Sequence, residues 1–237
     1  MNECKVYIKN SVFQEIGQAT KFEADKSMDG ISRMCISVVE ELFLGIGSCP
    51  RDVPVFFGSA YSSISSLFQF NIVFERDGAL QVNPSHFPNT VLNSPFCRAS
   101  IYHHITSPIL NVCTGKTSAM NALLLAYNHI VYAGVHHAIV CAAEDACDFV
   151  NQVEGKKLLS SCGALYLTDT EDDWRIVGFS DEQNESMDHS YGLFGSTSLL
   201  YKIHNVVKTR YNGSEKRELK NMVSITDANR MLMLSGY

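Results

Sequence analysis

The sequence carries little charge of either sign. Charged residues make up 19% of the 237 residues, and the formal net charge is −6. A nucleic-acid-binding protein normally presents a basic face, so this balance argues against that class of protein. The basic residues of 202–220 are interrupted by Glu215 and Glu218, a pattern typical of a solvated helix or loop. We therefore expect no nucleic-acid partner.

Membrane-spanning and targeting segments are also missing from the sequence. The most apolar window, 122–142, is broken by Asn128, His129, His136 and His137, so it is unsuited to crossing a bilayer. The first residues lack the basic stretch followed by an apolar stretch that marks a secretory signal. We therefore expect a cytoplasmic protein that has no membrane partner.

The cysteines and histidines show no metal-ligand spacing. Among the eight cysteines, no pair is spaced Cys-x-x-Cys, and no cysteine–histidine set occurs at zinc-ligand intervals. Cys35 and Cys141 stand among apolar residues, as expected for reduced, buried thiols in the cytosol. The pairs His103–His104 and His136–His137 diverge on a helix or strand. We therefore expect no metal ion.

A nucleotide-binding loop is present only in part. The stretch NVCTGKTSAMNALLLA, residues 111–126, contains the Gly-Lys-Thr tail of a phosphate-binding loop at 115–117. The full motif needs a glycine five residues earlier, where the backbone folds around the phosphates. That position is Leu110, inside an apolar run. A nucleotide-binding module is therefore only a rival hypothesis.

Short apolar runs alternate with helical patterns along much of the chain. Apolar residues recur at three- and four-residue steps from Asp29 to Leu44, which predicts a helix. Further helices are predicted over 62–76, over 99–104 and from a turn at 114–116 to about Tyr132. Strands are predicted at 4–9, 53–57, 109–113, 138–142, 158–167 and 174–179. This alternation predicts an α/β fold with a largely buried sheet, followed by loops and helix in the last sixty residues.

An ordered set of motifs runs through residues 50–180. The set consists of Asn83-Pro84, Phe87-Pro88-Asn89-Thr90, Asn93, Ser107-Pro108, Ala133-Gly134 and Cys141-Ala142-Ala143-Glu144. In order and spacing it resembles the N-terminal half of the β-ketoacyl synthases, which have the thiolase-like fold. The resemblance implies a layered α/β/α fold, truncated to mainly the N-terminal half of a ketosynthase. It also implies one domain over residues 1–237, with a reduced C-terminal half.

The resemblance also locates the position of the catalytic nucleophile. Lys116 lies eight residues after Pro108 and twenty-eight residues before Glu144, where the family places its cysteine. An unperturbed lysine has a pKa of about 10.4, and its amine does not provide the thioester chemistry that holds a growing acyl chain. An active family member also needs two histidines, and the contexts of His189 and His204 match neither. The resemblance therefore implies that the chain has no catalytic residue.

Cys113 is the rival nucleophile. Placing Cys113 at the cysteine position requires a three-residue shift that breaks the match at both Pro108 and Glu144. It also falls within the predicted strand, away from the helix start where amides and the helix dipole lower a thiol pKa. We interpret Cys113 as a buried packing thiol. A minimal thiolase-fold acyltransferase that uses Cys113 is the alternative.

A ketosynthase fold without nucleophile or catalytic histidines resembles the chain length factor, or ketosynthase β subunit, of type II polyketide synthases. The reduced length resembles the short Gram-negative form found in aryl polyene and anthraquinone-type systems. This resemblance implies a non-catalytic subunit that forms a heterodimer with a ketosynthase α subunit. The polyketide would be carried on the phosphopantetheine of an acyl carrier protein, with no cofactor of this chain's own. A purely structural stabiliser of the ketosynthase is a further alternative.

The resemblance assigns site residues by position. For the substrate tunnel, on the helix after Phe57-Gly58, these are Ile64, Leu67, Phe68 and Asn71. For the partner interface, they are Phe87, Phe96, Ile109, Leu110, Asn111, Val112 and Cys113. A bulky side chain in the tunnel would stop chain growth by steric exclusion, although simple core packing explains the tunnel residues equally well. The apolar strand at 109–113 would be an aggregation-prone edge if it were exposed, so a partner is expected there.

Overall fold

Helices surround a single sheet in the computed structural model, which describes residues 4–15, 28–180, 194–211, 222–227 and 230–236. The α-helices among them are α1 (Gly30–Ile46), α2 (Ile64–Asp77), α3 (Ser94–Tyr102), α4 (Ser118–Tyr132), α5 (Asp148–Glu154) and α6 (Ser198–Tyr211). The strands are β1 (Val6–Glu15), β2 (Val55–Ser62), β3 (Ile109–Val112), β4 (His137–Glu144), β5 (Ser161–Thr168), β6 (Trp174–Ser180), β7 (Met222–Asp227) and β8 (Arg230–Gly236). Short 3₁₀ helices occupy Ala79–Gln81, Pro84–Thr90, Gly115–Thr117 and Gly195–Thr197.

The eight strands form one mixed sheet in the order β3-β2-β4-β5-β1-β6-β8-β7. Strand β2 pairs in parallel with β3 on one side and with β4 on the other. The remaining pairs are antiparallel. The predicted α/β class is confirmed, and β3 forms one edge of the sheet.

Both faces of the sheet are covered by helices, which gives the predicted α/β/α layers. One hydrophobic cluster joins the sheet to α4 and α6, and the other joins it to α1 and α3. Phe56 belongs to the first cluster and Phe57 to the second, because successive side chains of a strand point to opposite faces. Among the described residues, no helix is long and apolar enough to cross a membrane.

Helix α1 shows how the local sequence sets these boundaries. The side chain of Asp29 accepts a hydrogen bond from the backbone N–H of Ser32 at 3.0 Å, which satisfies one of the free amides of the first turn. The helix ends at Gly47, whose φ of 68° is left-handed and favours glycine. Ten of its residues are buried, so its predicted apolar stripe is confirmed.

The sequence prediction was wrong for several short elements. The segment 83–97 was predicted as a loop, but it contains the 3₁₀ helix Pro84–Thr90 and the first turn of α3. Helix α5 was not predicted, because seven residues are too few to show a helical period. Strands β7 and β8 were missed in a region predicted as loops and helix. Their pairing with β6 and with each other is long-range and leaves little local signal.

Two features of the sequence lie wholly or partly outside the described residues. His189 is outside them, and so are residues 212–220 of the charged segment. The single domain over 1–237 and its reduced C-terminal half stay predictions.

Candidate functional site

The turn between β3 and α4 is closed by its own hydroxyl groups. The backbone N–H of Thr114 donates to Ser118 Oγ at 3.0 Å, and Ser118 Oγ donates to the carbonyl of Gly115 at 2.7 Å. Asn121 Nδ2 donates to Thr114 Oγ1 at 2.8 Å. Gly115 has a φ of 65°, a conformation that costs glycine little. The turn is therefore held in one tight shape.

A glycine on β2 lets α4 approach the sheet at this turn. A Cβ atom added at Gly58 would lie 2.6 Å from the carbonyl oxygen of Ser118 and 2.9 Å from the Cα of Ala119. Both contacts are with backbone, which cannot move aside without moving the helix. Gly58 therefore fixes how closely the first turn of α4 sits against β2.

Lys116 lies in this turn, between the end of β3 and the start of α4. It occupies the 3₁₀ helix Gly115–Thr117, immediately before α4 begins at Ser118. Its side chain is exposed. The structure therefore places Lys116 where the sequence analysis placed it, while its replacement of a nucleophile stays a prediction.

The prediction of a buried Cys113 was wrong. Cys113 is exposed, and its Sγ lies 3.6 Å from the carbonyl oxygen of Ala60. It follows directly after β3, the edge strand, where no further strand of the described chain covers it. Four residues separate it from Ser118 at the start of α4, so it lies before the helix and outside its first turn.

A buried carboxyl group organises the end of β2 beside the turn. Glu144 is 2% exposed, and its carboxyl group accepts from the backbone N–H of Ala60 at 2.5 Å and of Tyr61 at 3.0 Å. Ser59 Oγ donates to it at 3.3 Å, and Ser196 Oγ donates to it as well. Burial raises the pKa of Glu144, and these four hydrogen bonds lower it in part. The carboxyl group of Glu144 therefore holds the end of β2 in place through these four hydrogen bonds, and we call this arrangement the Glu144 clamp.

The segment before α6 joins this site, which the sequence analysis missed. The residues of 194–197 are all buried, and Ser196 reaches Glu144 from this segment. Thr197 Oγ1 and Ser161 Oγ are 2.6 Å apart, which ties the segment to β5. The 3₁₀ helix Gly195–Thr197 also contacts the turn that contains Lys116. The only local signal was Gly195, whose φ of 58° is left-handed.

The predicted tunnel residues share one face of α2. Ile64, Leu67, Phe68 and Asn71 follow the spacing of one helical face, but none is buried, and α2 as a whole has no buried residue. Phe68 is 40% exposed and its ring stacks on Phe149, with centroids 5.2 Å apart. Core packing alone is therefore a poor explanation for this face. Its role in a tunnel stays a prediction.

A cavity of about 660 Å³ lies on the other face of α2. Its wall on that helix includes Ser65, Gln69 and Val73, which repeat at four-residue steps and so share a face away from the predicted tunnel residues. None of the four predicted tunnel residues lines it. We call it the α2 cavity.

The predicted interface residues divide into two groups. Phe87 is 58% exposed, and the strand residues Ile109 to Val112 are half-buried or exposed. Phe96 is fully buried and packs on Phe57, with ring centroids 5.7 Å apart. A side chain without accessible surface cannot contact a partner, so the interface prediction was wrong for Phe96.

Three cysteines that are distant in the sequence meet in the core. Cys162 Sγ lies 3.7 Å from Cys35 Sγ and 3.8 Å from Cys141 Sγ. Burial raises the pKa of all three thiols, which keeps them protonated as packing groups. A metal ion would require the thiolates in an apolar core, at a high cost in desolvation. The absence of a metal stays a prediction.

The histidine pairs do not converge either. His103 is buried and its Nε2 donates to the carbonyl of Ile36 at 2.9 Å, whereas His104 is exposed. His136 Nδ1 lies 2.8 Å from a carboxylate oxygen of Asp169. His204 contacts β1, because its Nδ1 lies 3.0 Å from the carbonyl oxygen of Ser11.

The similarity to known proteins is one of structure. The sequence matches no family model and no curated relative. A chain from a complex of a ketosynthase with its chain length factor from Xenorhabdus doucetiae is similar over 98% of this chain and 99% of its own. Its TM-score is 0.65 and its identity is 14%. A chain of the ishigamide ketosynthase/chain length factor covers 88% of this chain and 80% of its own, with a TM-score of 0.72 and 14% identity.

A third similar structure contains a carrier protein. It is a type II polyketide synthase acyl carrier protein in complex with its ketosynthase bound to the hexaketide. The matched chain covers 99% of this chain and 100% of its own, with a TM-score of 0.75 and 10% identity. The chain described here therefore has the thiolase-like fold of ketosynthases, as its sequence predicted.

Proposed function

We propose that the chain is a non-catalytic chain length factor, the β subunit of a ketosynthase heterodimer in type II polyketide biosynthesis. We assign it to the short Gram-negative type, of aryl polyene or anthraquinone systems; the similarity to a chain of a ketosynthase and chain length factor complex over 99% of that chain supports this. The proposal is carried by two features of the described chain: the edge of β3 is unpaired, and large apolar side chains of α2 and of the segment after it are exposed.

We infer that the partner surface combines the unpaired strand edge with the unburied helix. Strand β3 pairs only with β2 among the described residues, so its other edge is open to a second strand. Helix α2 exposes Phe74 by 50%, and the segment after it exposes Leu92 by 49% and Phe87 by 58%. A monomer pays a solubility penalty for such a patch, whereas an obligate dimer buries it.

The lack of a nucleophile supports the non-catalytic part of the proposal. The turn that precedes α4 presents Lys116 to solvent, and a lysine amine does not form the thioester that a condensing enzyme needs. Condensation would therefore occur on the partner. The polyketide would stay on the phosphopantetheine of an acyl carrier protein, and this chain needs no cofactor. The eight free thiols fit a reducing, cytoplasmic location.

The test is co-purification with a ketosynthase encoded beside this chain. Wild-type protein should recover the ketosynthase in a complex that contains both chains. Asn111→Arg at the β3 edge and Phe87→Asp in the exposed 3₁₀ helix Pro84–Thr90 each place a charge in the proposed interface. Each should lower recovery by about thirtyfold, because loss of an interface hot spot costs about 2 kcal/mol or more.

A matched control separates interface effects from general damage. Leu44 is 76% exposed at the end of α1, outside the proposed surface, so Leu44→Asp should co-purify like the wild type. Recovery of no ketosynthase with the wild type would contradict the heterodimer. Equal recovery of the ketosynthase with Asn111→Arg and with wild type would show that the interface lies elsewhere.

A second candidate function rests on the exposure of Cys113. An exposed thiol can react, so a minimal acyltransferase that uses Cys113 is the alternative. Acylation of the isolated chain by an acyl thioester, lost in Cys113→Ala, would favour this enzyme. The remaining alternative is a structural stabiliser of the ketosynthase that has no influence on the product. Phe68→Ala distinguishes it, because this variant should change product length only if α2 lines the tunnel.

A further inference from the structure

Three thiols from separate elements meet at one point of the core. Cys35 is on α1, Cys141 is on β4 and Cys162 is on β5. Their sulfur atoms all lie within 4.8 Å of one another. These cysteines take no part in the Glu144 clamp or in the proposed partner surface, and we call them the thiol cluster.

The pairing of the strands explains why the sulfurs converge. Strands β4 and β5 are antiparallel, with Cys141 opposite Ala164 and Ala143 opposite Cys162. The two cysteines are therefore two positions apart on one face of the sheet. Helix α1 packs on the same face and places the sulfur of Cys35 3.7 Å from that of Cys162. The cluster is therefore positioned by three packed elements.

A single atom is able to join all three sulfurs. Bonds of about 2.3 Å, the length of a zinc–thiolate bond, reach three sulfurs at this spacing from a point between them. Sulfur ligands are also the ligands that soft centres prefer. The thiol cluster therefore has the geometry of a three-coordinate site.

The charge of the complex decides which centre fits. All three thiols are fully buried among apolar side chains. A divalent ion bound by three thiolates leaves one uncompensated negative charge, and a monovalent ion leaves two. Burying such a charge without a partner is costly. A trivalent centre leaves no net charge, so it suits this environment best.

The surroundings of Cys35 strengthen the preference for a neutral complex. Burial raises the pKa of the Cys35 thiol, and the negative charge of Asp29 also raises it. An environment that keeps the thiol protonated opposes an anionic complex for the same reasons.

The start of α1 gives a small ligand an approach to the cluster. Met28, Asp29 and Gly30 line the α2 cavity. Cys35 is five residues beyond Gly30, which is about 8 Å along the helix axis. The end of a helix opens more readily than its middle, so a small uncharged molecule in the cavity reaches the cluster through local opening of α1.

We propose that the thiol cluster is a binding site for trivalent metalloid hydroxides, the class to which arsenous acid belongs. Three S–H bonds and three As–OH bonds break, three As–S bonds form, and each thiol proton leaves with a hydroxyl group as water. No atom changes its oxidation state, and the product is uncharged. The assignment does not depend on the proposed function, because it uses only the thiols of this chain.

Native mass spectrometry of the reduced full chain with sodium arsenite tests the proposal. The mass of the adduct counts the bonds, because each As–S bond that forms releases one water. Wild type should gain one arsenic atom and lose three hydrogen atoms. An adduct heavier by one or two waters would contain fewer bonds and would overturn the proposal, as would the lack of any adduct.

Excess zinc sulfate tests the argument from charge. Zinc should leave the arsenic adduct unchanged, because zinc on three thiolates would bury a negative charge. Displacement of arsenic by zinc would contradict the preference for a neutral complex.

Cysteine variants locate the adduct. Cys162→Ala removes the sulfur that lies within 3.8 Å of both others. It should lower the affinity for arsenite by at least about a hundredfold, because bonds to thiols that are held together reinforce one another. Cys49→Ala, which removes an exposed thiol, should bind arsenite like the wild type. A three-bond adduct of undiminished affinity in Cys162→Ala, or its loss in Cys49→Ala, would place the arsenic elsewhere.

Two measurements on the wild type decide the outcome if the core variant fails to fold. Dimethylarsinous acid has one hydroxyl group and forms one As–S bond, so it should bind at least about a hundredfold more weakly than arsenite. Proteolysis of the arsenite adduct should yield one arsenic atom that joins the peptides of Cys35, Cys141 and Cys162. Equal binding of the two arsenicals, or arsenic on any other peptide, would overturn the proposal.

Discussion

Helices α1 and α2 both carry apolar side chains, yet they are buried to very different extents. Helix α1 has ten buried residues among 17, whereas α2 has none among 14. The same contrast holds for two strands, since all eight residues of β5 are buried and none of the four in β3 is. One side of the fold is packed within the chain, whereas the other leaves apolar side chains and a strand edge open among the described residues.

The largest loss of stability is expected from a substitution in α1, on the packed side of the fold. Leu42 of α1 is fully buried, so Leu42→Ala should lower the free energy of unfolding by about 2–5 kcal/mol through lost burial and a residual cavity. Urea denaturation of the full chain measures this change. Leu44→Ala, two residues further on and 76% exposed, should be close to neutral. Equal losses in the free energy of unfolding for the two variants would contradict the difference in burial between Leu42 and Leu44.

A smaller loss of stability is expected at the end of β2, between the packed region and α2. Glu144 accepts hydrogen bonds from backbone amides of β2, which leads into α2. In Glu144→Gln an amide group would face these donors, and the free energy of unfolding should fall by about 1–3 kcal/mol. The exposed Glu75→Gln serves as the control in the same denaturation series. Unchanged stability in Glu144→Gln would show that the clamp does not hold this junction.

The packing of α1 also predicts a pH dependence. Burial lowers the pKa of His103 from its ordinary value of 6.5, so the unfolded state binds a proton more readily than the folded state does. This contribution to stability is present above about pH 6.5 and is lost as pH falls through the lowered pKa. One such group gives a slope of at most about 1.4 kcal/mol per pH unit.

Denaturation between pH 7 and pH 5 compares His103→Gln with wild type. The variant should show a shallower loss of stability over this range, whatever its absolute stability. His86→Gln, at an exposed position, should retain the wild-type slope. An unchanged slope in His103→Gln would show that this ring does not report the burial of α1.

The smallest change in the free energy of unfolding is expected for a substitution in α2 of the isolated chain. Phe74 is 50% exposed, and Phe74→Ala should change the free energy of unfolding by no more than about 0.5 kcal/mol. In the complex, the same variant should reduce recovery of the ketosynthase several-fold, because its ring becomes buried. A large loss of stability in the isolated chain would mean that α2 is already packed.

The sequence was sufficient for elements with a strong local period and for motifs in a fixed order. The stripe of α1 and the strand–turn–helix around Lys116 were predicted because their residues are close in sequence. Burial was harder to predict, because Cys113 and Phe96 were each assigned the wrong environment. The sequence does not reveal that β3 is an edge strand, which leaves Cys113 exposed, or that Phe96 packs on Phe57 from a distant segment.

Polar sites assembled from distant segments left even less signal. The contact of Ser196 with Glu144 spans 52 positions, and apart from Gly195 the local sequence around 194–197 does not mark this segment as part of the site. The α2 cavity was missed for a related reason. Helical spacing shows which residues share a face, but only the packing of α1 and of the segment after α2 shows which face encloses space.

The central claim is that this chain contributes a surface to the reaction and no nucleophile. Intact-mass measurement of both subunits tests it, after the co-purified pair has been loaded from an acylated carrier protein. The account predicts an acyl mass on the ketosynthase and an unmodified mass for this chain. An acyl group on this chain that disappears in Cys113→Ser would contradict the account.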